Sequence, residues 1–493
     1  MENKNSSYNQ IIKATSIFGG SQLISIILGI VRTKIVAILL GAAGVGLLGV
    51  FQSIIDTTRS ITSLGLDTGG VKDIATAANS ENPEDLPRSV SIFKKWFLWT
   101  ALIGFFACIA FCLPISVWVF GDVKYSMQVA ALSVCVFLAT LATGRSVFLQ
   151  GMRQISYMAK ASILSAVCTL LVVIPLYYFF GIYGIIPALI GGNLLWFFCT
   201  DYYYRKLDIK SITVENKEIV QAGLNTLKLG LFIVLSTVLS MLSMLLIRTY
   251  LMRSIDVEAA GLFQAVWTIT NIYLGLILKS MGTDFFPRLC SVVDEKKGVR
   301  LLVNEQLYIV LVISSPIIVG MLLFSEVILP ILYSSEFSNA ASLLQWQIVG
   351  TFLKVVSWPV AFILLAKNKG LLHFITEGLF FVVYLAISYF LFPHYGLDSV
   401  GIGYFVAYIF YFIVIFAIGR GLSGFVWSKA VLKMILVNIL FIVCSFYTIH
   451  NQVNYVYIIG GIIFLLSLVY AYYNLKRVFT FEDLKNWFKS RKS

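Results

Sequence analysis

Basic side chains interrupt several apolar stretches of this chain. The interrupting residues are Arg32, Lys34, Arg59, Arg248 and Lys354. An arginine at the centre of a membrane helix costs on the order of 2.5–3.5 kcal/mol, so arginines retained there usually face a cavity or a charged partner. Asp56 is the one obvious acid nearby in the sequence. The excess is therefore positive, which suits a phosphate or diphosphate, because guanidinium groups pair with phosphate oxygens in a bidentate manner.

Arg32 and Lys34 each have an alternative to a cavity position. Arg32 lies about 28 Å along a helix from Lys13, so its side chain could simply reach the outer interface. The chain stays apolar beyond it, over residues 35–40, and Arg248 takes the same place in an internal repeat; both observations favour a cavity. Lys34 lies about 200° around the helix from Arg32, which favours an interfacial or packing position.

Two polar stripes recur at matched helical spacing. The first consists of Gln52, Asp56, Arg59 and Ser63, and the second of Gln264, Thr268, Asn271 and Gly275. Steps of three and four residues place each set on one face of a helix. Polar groups that face lipid would be unsatisfied, so both stripes are predicted to face protein or an aqueous cavity.

Two readings remain open for Asp56 and Arg59, which stand three residues apart. They could neutralise each other as a structural pair, or they could belong to a functional site with Asp56 as a coupling residue. Lys354 shares its helical face with Gln347 and Ser357, which favours a cavity position.

The elements that must position these residues are membrane helices. The 493 residues are 59% hydrophobic and 12% charged, with a mean hydropathy of +0.88, and several apolar runs reach the length of about 18 residues that spans a bilayer as a helix. The predicted fold is an all-α polytopic membrane protein with about 14 transmembrane helices. The predicted spans are 11–40, 45–66, 91–119, 126–149, 155–180, 182–202, 229–250, 257–283, 301–332, 338–365, 371–392, 397–419, 431–449 and 455–473.

The distribution of basic residues predicts the orientation of these spans. Of the 37 Lys and Arg residues, 30 fall on the side of the N-terminus, five lie within the predicted spans, and the opposite side holds only Lys124 and Arg253. The positive-inside rule then places both termini in the cytoplasm. The net charge of +13 is explained by topology and anionic membrane lipid and requires no nucleic acid. In the basic tail, 476–493, the spacing of Phe481, Leu484 and Phe488 suits an interfacial helix, and an unstructured end fits nearly as well.

An offset of 216 residues indicates an internal duplication. It maps "VRT" at 31–33 onto "IRT" at 247–249, and Arg153 onto Lys369. Two copies of six spans share one orientation, so the chain is predicted to be a parallel repeat of two pseudo-symmetric six-helix bundles. The predicted divisions are an N-terminal lobe, 1–210, a C-terminal lobe, 211–425, two additional helices, 426–475, and the basic tail, 476–493.

Motifs for catalysis, metals and cofactors are absent from the sequence. It contains no HExxH, GxSxG, CxxC or paired-carboxylate pattern, and the glycine-rich "GAAGVG" lacks the GK[ST] ending of a phosphate loop. We therefore expect no catalytic residues, no metal and no cofactor. The glycines are predicted to mark a tight turn.

Several motifs of the sequence resemble those of a known family. A basic R-x-K late in the first span, then "LLGAAGVGLLGVFQ", then "GLDTGGVKDIA" entering the first cytoplasmic loop, together with duplicated six-helix bundles, resemble the Wzx-type O-antigen and lipid-linked oligosaccharide flippases. These form part of the polysaccharide-transport branch of the multidrug/oligosaccharidyl-lipid/polysaccharide exporter superfamily. The lipid II flippases of the same superfamily also share the pattern of "LGIVRTKIVAILLGAAG" and an arginine where Arg59 stands. The acid that follows that arginine in them is not obvious here, where Leu64 and Gly65 precede Asp67.

The resemblance implies a substrate and a location. The substrate would be an undecaprenyl-diphosphate-linked oligosaccharide, such as an O-antigen unit of lipopolysaccharide, moved across the bacterial inner membrane by alternating access. Arg32, Arg59 and Arg248 become candidate diphosphate ligands, together with Lys354. Partners would be membrane lipids and the polysaccharide polymerase and chain-length machinery. The alternatives are a lipid II-type flippase, a multidrug exporter of the same superfamily and a membrane polysaccharide polymerase.

Overall fold

The computed structural model describes most of the chain. The described residues are 2–63, 65–78, 80–209, 212–450 and 456–478. The predicted interfacial helix of the basic tail lies outside them, apart from residues 476–478, which end the last helix.

The described chain consists of seventeen α-helices. They are α1 Glu2–Ser63, α2 Leu66–Ala78, α3 Asp85–Ala110, α4 Cys112–Phe120, α5 Ser126–Gly151, α6 Ile155–Phe180, α7 Ile185–Arg205, α8 Asn216–Ser254, α9 Val257–Trp267, α10 Leu274–Ser291, α11 Lys296–Leu323, α12 Ser325–Leu332, α13 Ala341–Ala366, α14 Gly370–Tyr395, α15 Asp398–Ser423, α16 Lys429–His450 and α17 Val456–Val478. A π-helical turn, Thr268–Tyr273, joins α9 to α10. No strand occurs in the described ranges, so the all-α prediction is confirmed.

Eleven helical stretches of the described chain are long and apolar enough to cross a membrane. One of them, Ile155–Arg205, contains both α6 and α7. The chain is therefore a multi-pass α-helical membrane protein. The exact count of fourteen spans stays a prediction.

The first helix breaks at Gly41, where the glycine-rich turn was predicted. Gly41 has φ 63° and ψ −170°, a conformation that a side chain would strain. The backbone N–H of Ala42 then donates to Glu336 Oε2 at 3.0 Å. A carboxylate satisfies the free N–H groups at the start of a helix and favours the positive end of its dipole. Glu336 therefore caps the second half of α1.

The described chain divides into two compact units. Unit 1 comprises 1–264 and 332–336, and unit 2 comprises 265–331 and 337–493. The lobe boundaries predicted from the sequence stay a prediction.

In unit 1, α7 packs against α5 and α6, and α1 packs against α6 and α8. A hydrophobic cluster joins α2, α3 and α5 through Leu66, Ile74, Val90, Phe93, Phe97, Val147 and Phe148. Gly46 and Gly261 face each other so closely that a Cβ on either would collide with the backbone of the other helix. The main chains of α1 and α9 therefore touch, as is common where small residues meet in membrane helices.

Unit 2 repeats the packing of α5 to α7. Here α15 packs against α13 and α14. The two sets of helices begin at Ser126 and Ala341, at Ile155 and Gly370, and at Ile185 and Asp398, close to the offset of 216. The last two helices, α16 and α17, both pack against α11.

Candidate functional site

A polar cavity in unit 1 contains two of the residues singled out from the sequence. Its volume is about 330 Å³, and Arg32 and Gln52 lie on its wall. The other lining residues are Leu28, Gly29, Ser162, Ser165, Ala166, Thr169, Leu170, Ala188, Leu189, Gly192, Asn193 and Trp196. Arg32 also interacts with the phenol of Tyr177. The cavity position predicted for Arg32 agrees with this arrangement.

Gln52 connects the cavity to Asp56. Gln52 Nε2 donates to Asp56 Oδ1 at 3.1 Å, and their four-residue spacing puts both on one helical face. The half-buried carboxylate of Asp56 also interacts with the charges of Arg59 and Arg248. One acid therefore lies among several cations.

Arg59 makes its hydrogen bond to a neutral group. Its Nη1 donates to Thr143 Oγ1 on α5 at 2.8 Å, and no ion pair joins it to Asp56 in the part of the chain that the structure describes. The carboxylate of Asp56 and the guanidinium of Arg59 thus interact electrostatically without forming a salt bridge.

Arg248 is buried and belongs to unit 1. Its Nη1 donates to Ser53 Oγ, and Ser53 in turn donates to the Gly49 carbonyl at 2.7 Å. The sequence alignment of Arg248 with Arg32 did not reveal this contact, because Ser53 lies one position off the polar stripe. Arg32, Arg59 and Arg248 are consequently all carried by the same unit.

The remaining stripe residues divide between the units. Ser63 is buried at the end of α1, and Gln264 lies beside Gly49. In unit 2, Thr268 and Asn271 lie in the π-helical turn, a form of helix that is frequent at functional sites.

Lys354 of α13 binds the π-helical turn. Its Nζ donates to Asn271 Oδ1 at 2.7 Å, and Tyr404 Oη donates to the same oxygen at 3.3 Å. Gln347, two turns away on the same face of α13, is fully buried, and its amide has no hydrogen-bond partner among the described residues. The site in unit 2 therefore has one cation held by neutral groups.

One ion-pair network was missed by the sequence analysis. Asp201 is buried and accepts from Arg145 Nε at 2.7 Å and from Arg205 Nε at 2.6 Å. The guanidinium of Arg145 also lies over the ring of Tyr204, 4.8 Å from its centroid. The i, i+4 spacing of Asp201 and Arg205 was the available signal, whereas Arg145 lies on α5, distant in the sequence from Asp201.

Asp67 of α2 brings a second carboxyl within reach of Arg59. It lies outside the apolar spans, and burial raises its pKa while the charge of Arg59 acts in the opposite direction. Asp67 of α2 thus interacts electrostatically with Arg59 of α1.

The net charge of this group of residues is positive. Guanidinium groups outnumber the acids around them, and Arg32 reaches an open cavity, where an anion could pair with its planar fork. No group of acids, histidines and cysteines capable of holding a metal occurs among the described residues.

Comparisons with known proteins identify a family and several relatives. A family model described as "Polysaccharide biosynthesis protein" matches residues 35–342. The chain is 23% identical over 407 residues to a protein of Escherichia coli K12 called lipid III flippase, a match that covers 82% of this chain and 96% of that protein. It is 22% identical over 352 residues to a putative O-antigen transporter of Shigella flexneri, covering 70% and 82% respectively.

A solved structure shares the fold. The lipid II flippase MurJ, in an inward closed conformation, superposes with a TM-score of 0.70 at 16% identity and covers 93% of this chain and 98% of its own. The predicted resemblance to the flippases of the exporter superfamily is thus confirmed. Because the family model matches more than half of the residues, the chain belongs to the polysaccharide biosynthesis protein family.

Proposed function

We propose that this protein is a flippase for an undecaprenyl-diphosphate-linked oligosaccharide. The observation that carries the proposal is the set of three arginines in unit 1, with Arg32 on the wall of a polar cavity and Asp56 as the acid among them. A diphosphate headgroup is the part of such a lipid that would require this charge.

The relatives support this substrate class. One is called a lipid III flippase and another a putative O-antigen transporter, and both names describe the movement of a lipid-linked saccharide. We infer that the chain transports without catalysis, resides in the bacterial inner membrane and keeps both termini in the cytoplasm. Its partners would be membrane lipids and, more specifically, the polymerase and chain-length machinery of polysaccharide synthesis.

Three alternatives fit less well. A multidrug exporter for cationic drugs would need acids where this site has arginines. A membrane polymerase would need a catalytic cluster, and the sequence offers none. A lipid II-type flippase remains the nearest alternative because it would use the same arginines for the same diphosphate.

In the proposed mechanism, Arg32 receives the diphosphate from the cavity, and Arg59 and Arg248 lower the energy of a second negative charge. Asp56 is the proposed coupling residue, because protonating it would increase the net positive charge that the substrate meets. The transporter would then expose this site alternately to the two leaflets.

The test is leaflet exchange in liposomes of defined composition. Purified protein is reconstituted with a labelled undecaprenyl-diphosphate glycolipid, and the fraction of label accessible from outside is followed over time. Arg32→Ala and Arg248→Ala should slow exchange severalfold to a hundredfold, whereas Arg88→Ala should not. Arg88 is a suitable control since it is exposed and pairs with Glu218. Unchanged exchange in both site variants would refute the diphosphate site, and the absence of exchange for every glycolipid would refute the flippase.

A further inference from the structure

The cavity of unit 1 has a neutral wall beside its one arginine. Apart from Arg32, the lining residues in the described chain carry no charge. Hydroxyl and amide groups of Ser162, Ser165, Thr169 and Asn193 share the wall with an indole, Trp196. Neutral hydrogen-bonding groups beside an aromatic ring suit a ligand that is uncharged, rich in hydroxyls and apolar on one face.

Thr169 offers an unused hydrogen-bonding group to this cavity. The residue is only 7% exposed and lies on the cavity wall, and no hydrogen bond joins its hydroxyl to another of the described residues. The hydroxyls of Thr143 and Ser165 differ from that of Thr169 because they donate to the backbone carbonyls of Ala139 and Ser162, respectively. The Thr169 hydroxyl is not among the fully enclosed side-chain oxygens that lack a partner, so it is open to the cavity, where a ligand or water can satisfy it.

Two glycines keep the cavity open. A Cβ added at Gly192 would lie 3.3 Å from Thr169 Cγ2, and one at Gly29 would meet no atom within 4 Å. A side chain at Gly192 would therefore crowd Thr169, and one at Gly29 would narrow the space beside Arg32.

We propose that this cavity is a sugar-binding subsite that takes the saccharide ring attached directly to the diphosphate. The inference rests on the proposed function, since the diphosphate at Arg32 would bring that ring to the neutral wall. Trp196 would contact the apolar face of the ring, and Thr169 would hydrogen-bond one of its hydroxyls. The cavity lies near the lower end of the usual size of small-molecule sites, which begins at roughly 300 Å³, so it suits one ring and not a whole oligosaccharide.

The experiment separates the sugar from the diphosphate. Undecaprenyl diphosphate and undecaprenyl diphosphate carrying a single N-acetylhexosamine are titrated against the full chain in nanodiscs, with phosphatidylglycerol as the reference lipid. We expect the sugar to strengthen binding about tenfold. Trp196→Leu and Thr169→Val should remove most of that gain while sugar-free diphosphate binds as before, and Arg32→Ala should weaken both ligands.

Matched variants keep the result interpretable. Phe198→Leu changes another aromatic residue of α7, one that is 57% exposed and absent from the cavity wall, and should leave the gain intact. Thr169→Val preserves volume, so it guards against a Trp196 variant that fails to fold. Gly29→Leu should also reduce the gain because it narrows the cavity.

The outcomes are distinguishable. A full sugar gain in both the Trp196 and Thr169 variants, or no gain in the natural protein, would overturn the subsite and leave the diphosphate site standing. Failure of undecaprenyl diphosphate itself to bind more tightly than phosphatidylglycerol would overturn the proposed function as well.

Discussion

The two units present the same helical pattern with different chemistry. In unit 1 the stripe face holds Asp56 and Arg59, and Arg248 joins them through α8. In unit 2 the corresponding face holds Thr268 and Asn271, and its cation, Lys354, is satisfied by an amide oxygen. Duplicated helices therefore keep their packing partners while their interior charges diverge, which indicates that packing and ligand chemistry are separately encoded.

The difference also concerns geometry. Arginine offers a planar fork that matches two phosphate oxygens, whereas lysine is a compact point charge. Arg32 faces a cavity, while Lys354 has its hydrogen bond within the protein. The comparison predicts that unit 1 binds the anion and that Lys354 serves mainly to hold the π-helical turn.

The largest expected effect is on transport. The double variant Arg32→Gln, Arg248→Gln should lose about a thousandfold in leaflet exchange, because two charge-assisted contacts are each worth about 1.5–3 kcal/mol. Lys354→Gln should lose less than tenfold. Equal losses in the same liposome assay would break the comparison and make both units diphosphate sites.

A smaller effect is expected on stability, through the Asp201 network. Asp201→Asn leaves the buried side of Arg145 without its charge partner, which should cost about 3 kcal/mol of unfolding free energy. Arg205→Ala should cost no more than about 1 kcal/mol, since its side chain is 79% exposed. Thermal unfolding of both variants in the same detergent would measure the ratio, and comparable losses would contradict the buried character of this network.

In unit 2, Asn271→Leu should cost about 1–3 kcal/mol because it removes the acceptor of Lys354. Tyr404→Phe should cost about 0.5–1 kcal/mol, since its bond to the same oxygen is longer. A double variant, Asn271→Leu with Lys354→Met, should recover part of the loss. Stability as poor as in the single Asn271 variant would show that the ammonium is not what the amide satisfies.

The smallest expected effect is a pH dependence at Asp67. Burial raises its pKa above 3.8, so the folded protein binds this proton more tightly than the unfolded chain does. Its contribution is present at low pH and decreases as the pH rises from 3.8 through the raised value. Asp67→Asn should therefore reduce the dependence of the melting temperature on pH over that pH range.

Glu218 provides the control of opposite sign. The bidentate bond from Arg88 lowers the pKa of this exposed carboxyl, so its contribution decreases as the pH falls. Glu218→Gln should therefore change only the acid side of the profile. A steeper profile in the Asp67 variant would contradict the assigned sign.

Much of the fold was predictable because a membrane helix requires a long apolar stretch of sequence, which is easily recognised. Apolar length located α5, α6 and α13 to within a few residues, and the glycine-rich turn located the break at Gly41. Periodicity likewise placed Gln52 and Asp56 on one helical face, where they form a hydrogen bond. These are local properties of one helix, which spacing alone determines.

The site was only partly predictable because its contacts join distant segments. Nothing in the spacing of Arg248 indicates Ser53, and nothing in that of Lys354 indicates that Asn271 would accept its hydrogen bond. The neutral wall around Trp196 was missed for the same reason, since serines, threonines and glycines in a membrane helix usually indicate helix packing.

The π-helical turn also changes the rotational phase of the helix that follows it. Such a turn holds more residues than an α-turn, so residues after it are rotated around the axis by up to about one residue's arc, or 100°. Gln264 and Gly275 lie on opposite sides of Thr268–Tyr273, and regular α-helical counting between them no longer applies. The side chains of α10 are therefore rotated relative to the helical phase of α9. A single residue inserted into or deleted from this turn would change the neighbours of α10 while leaving those of α9 in place.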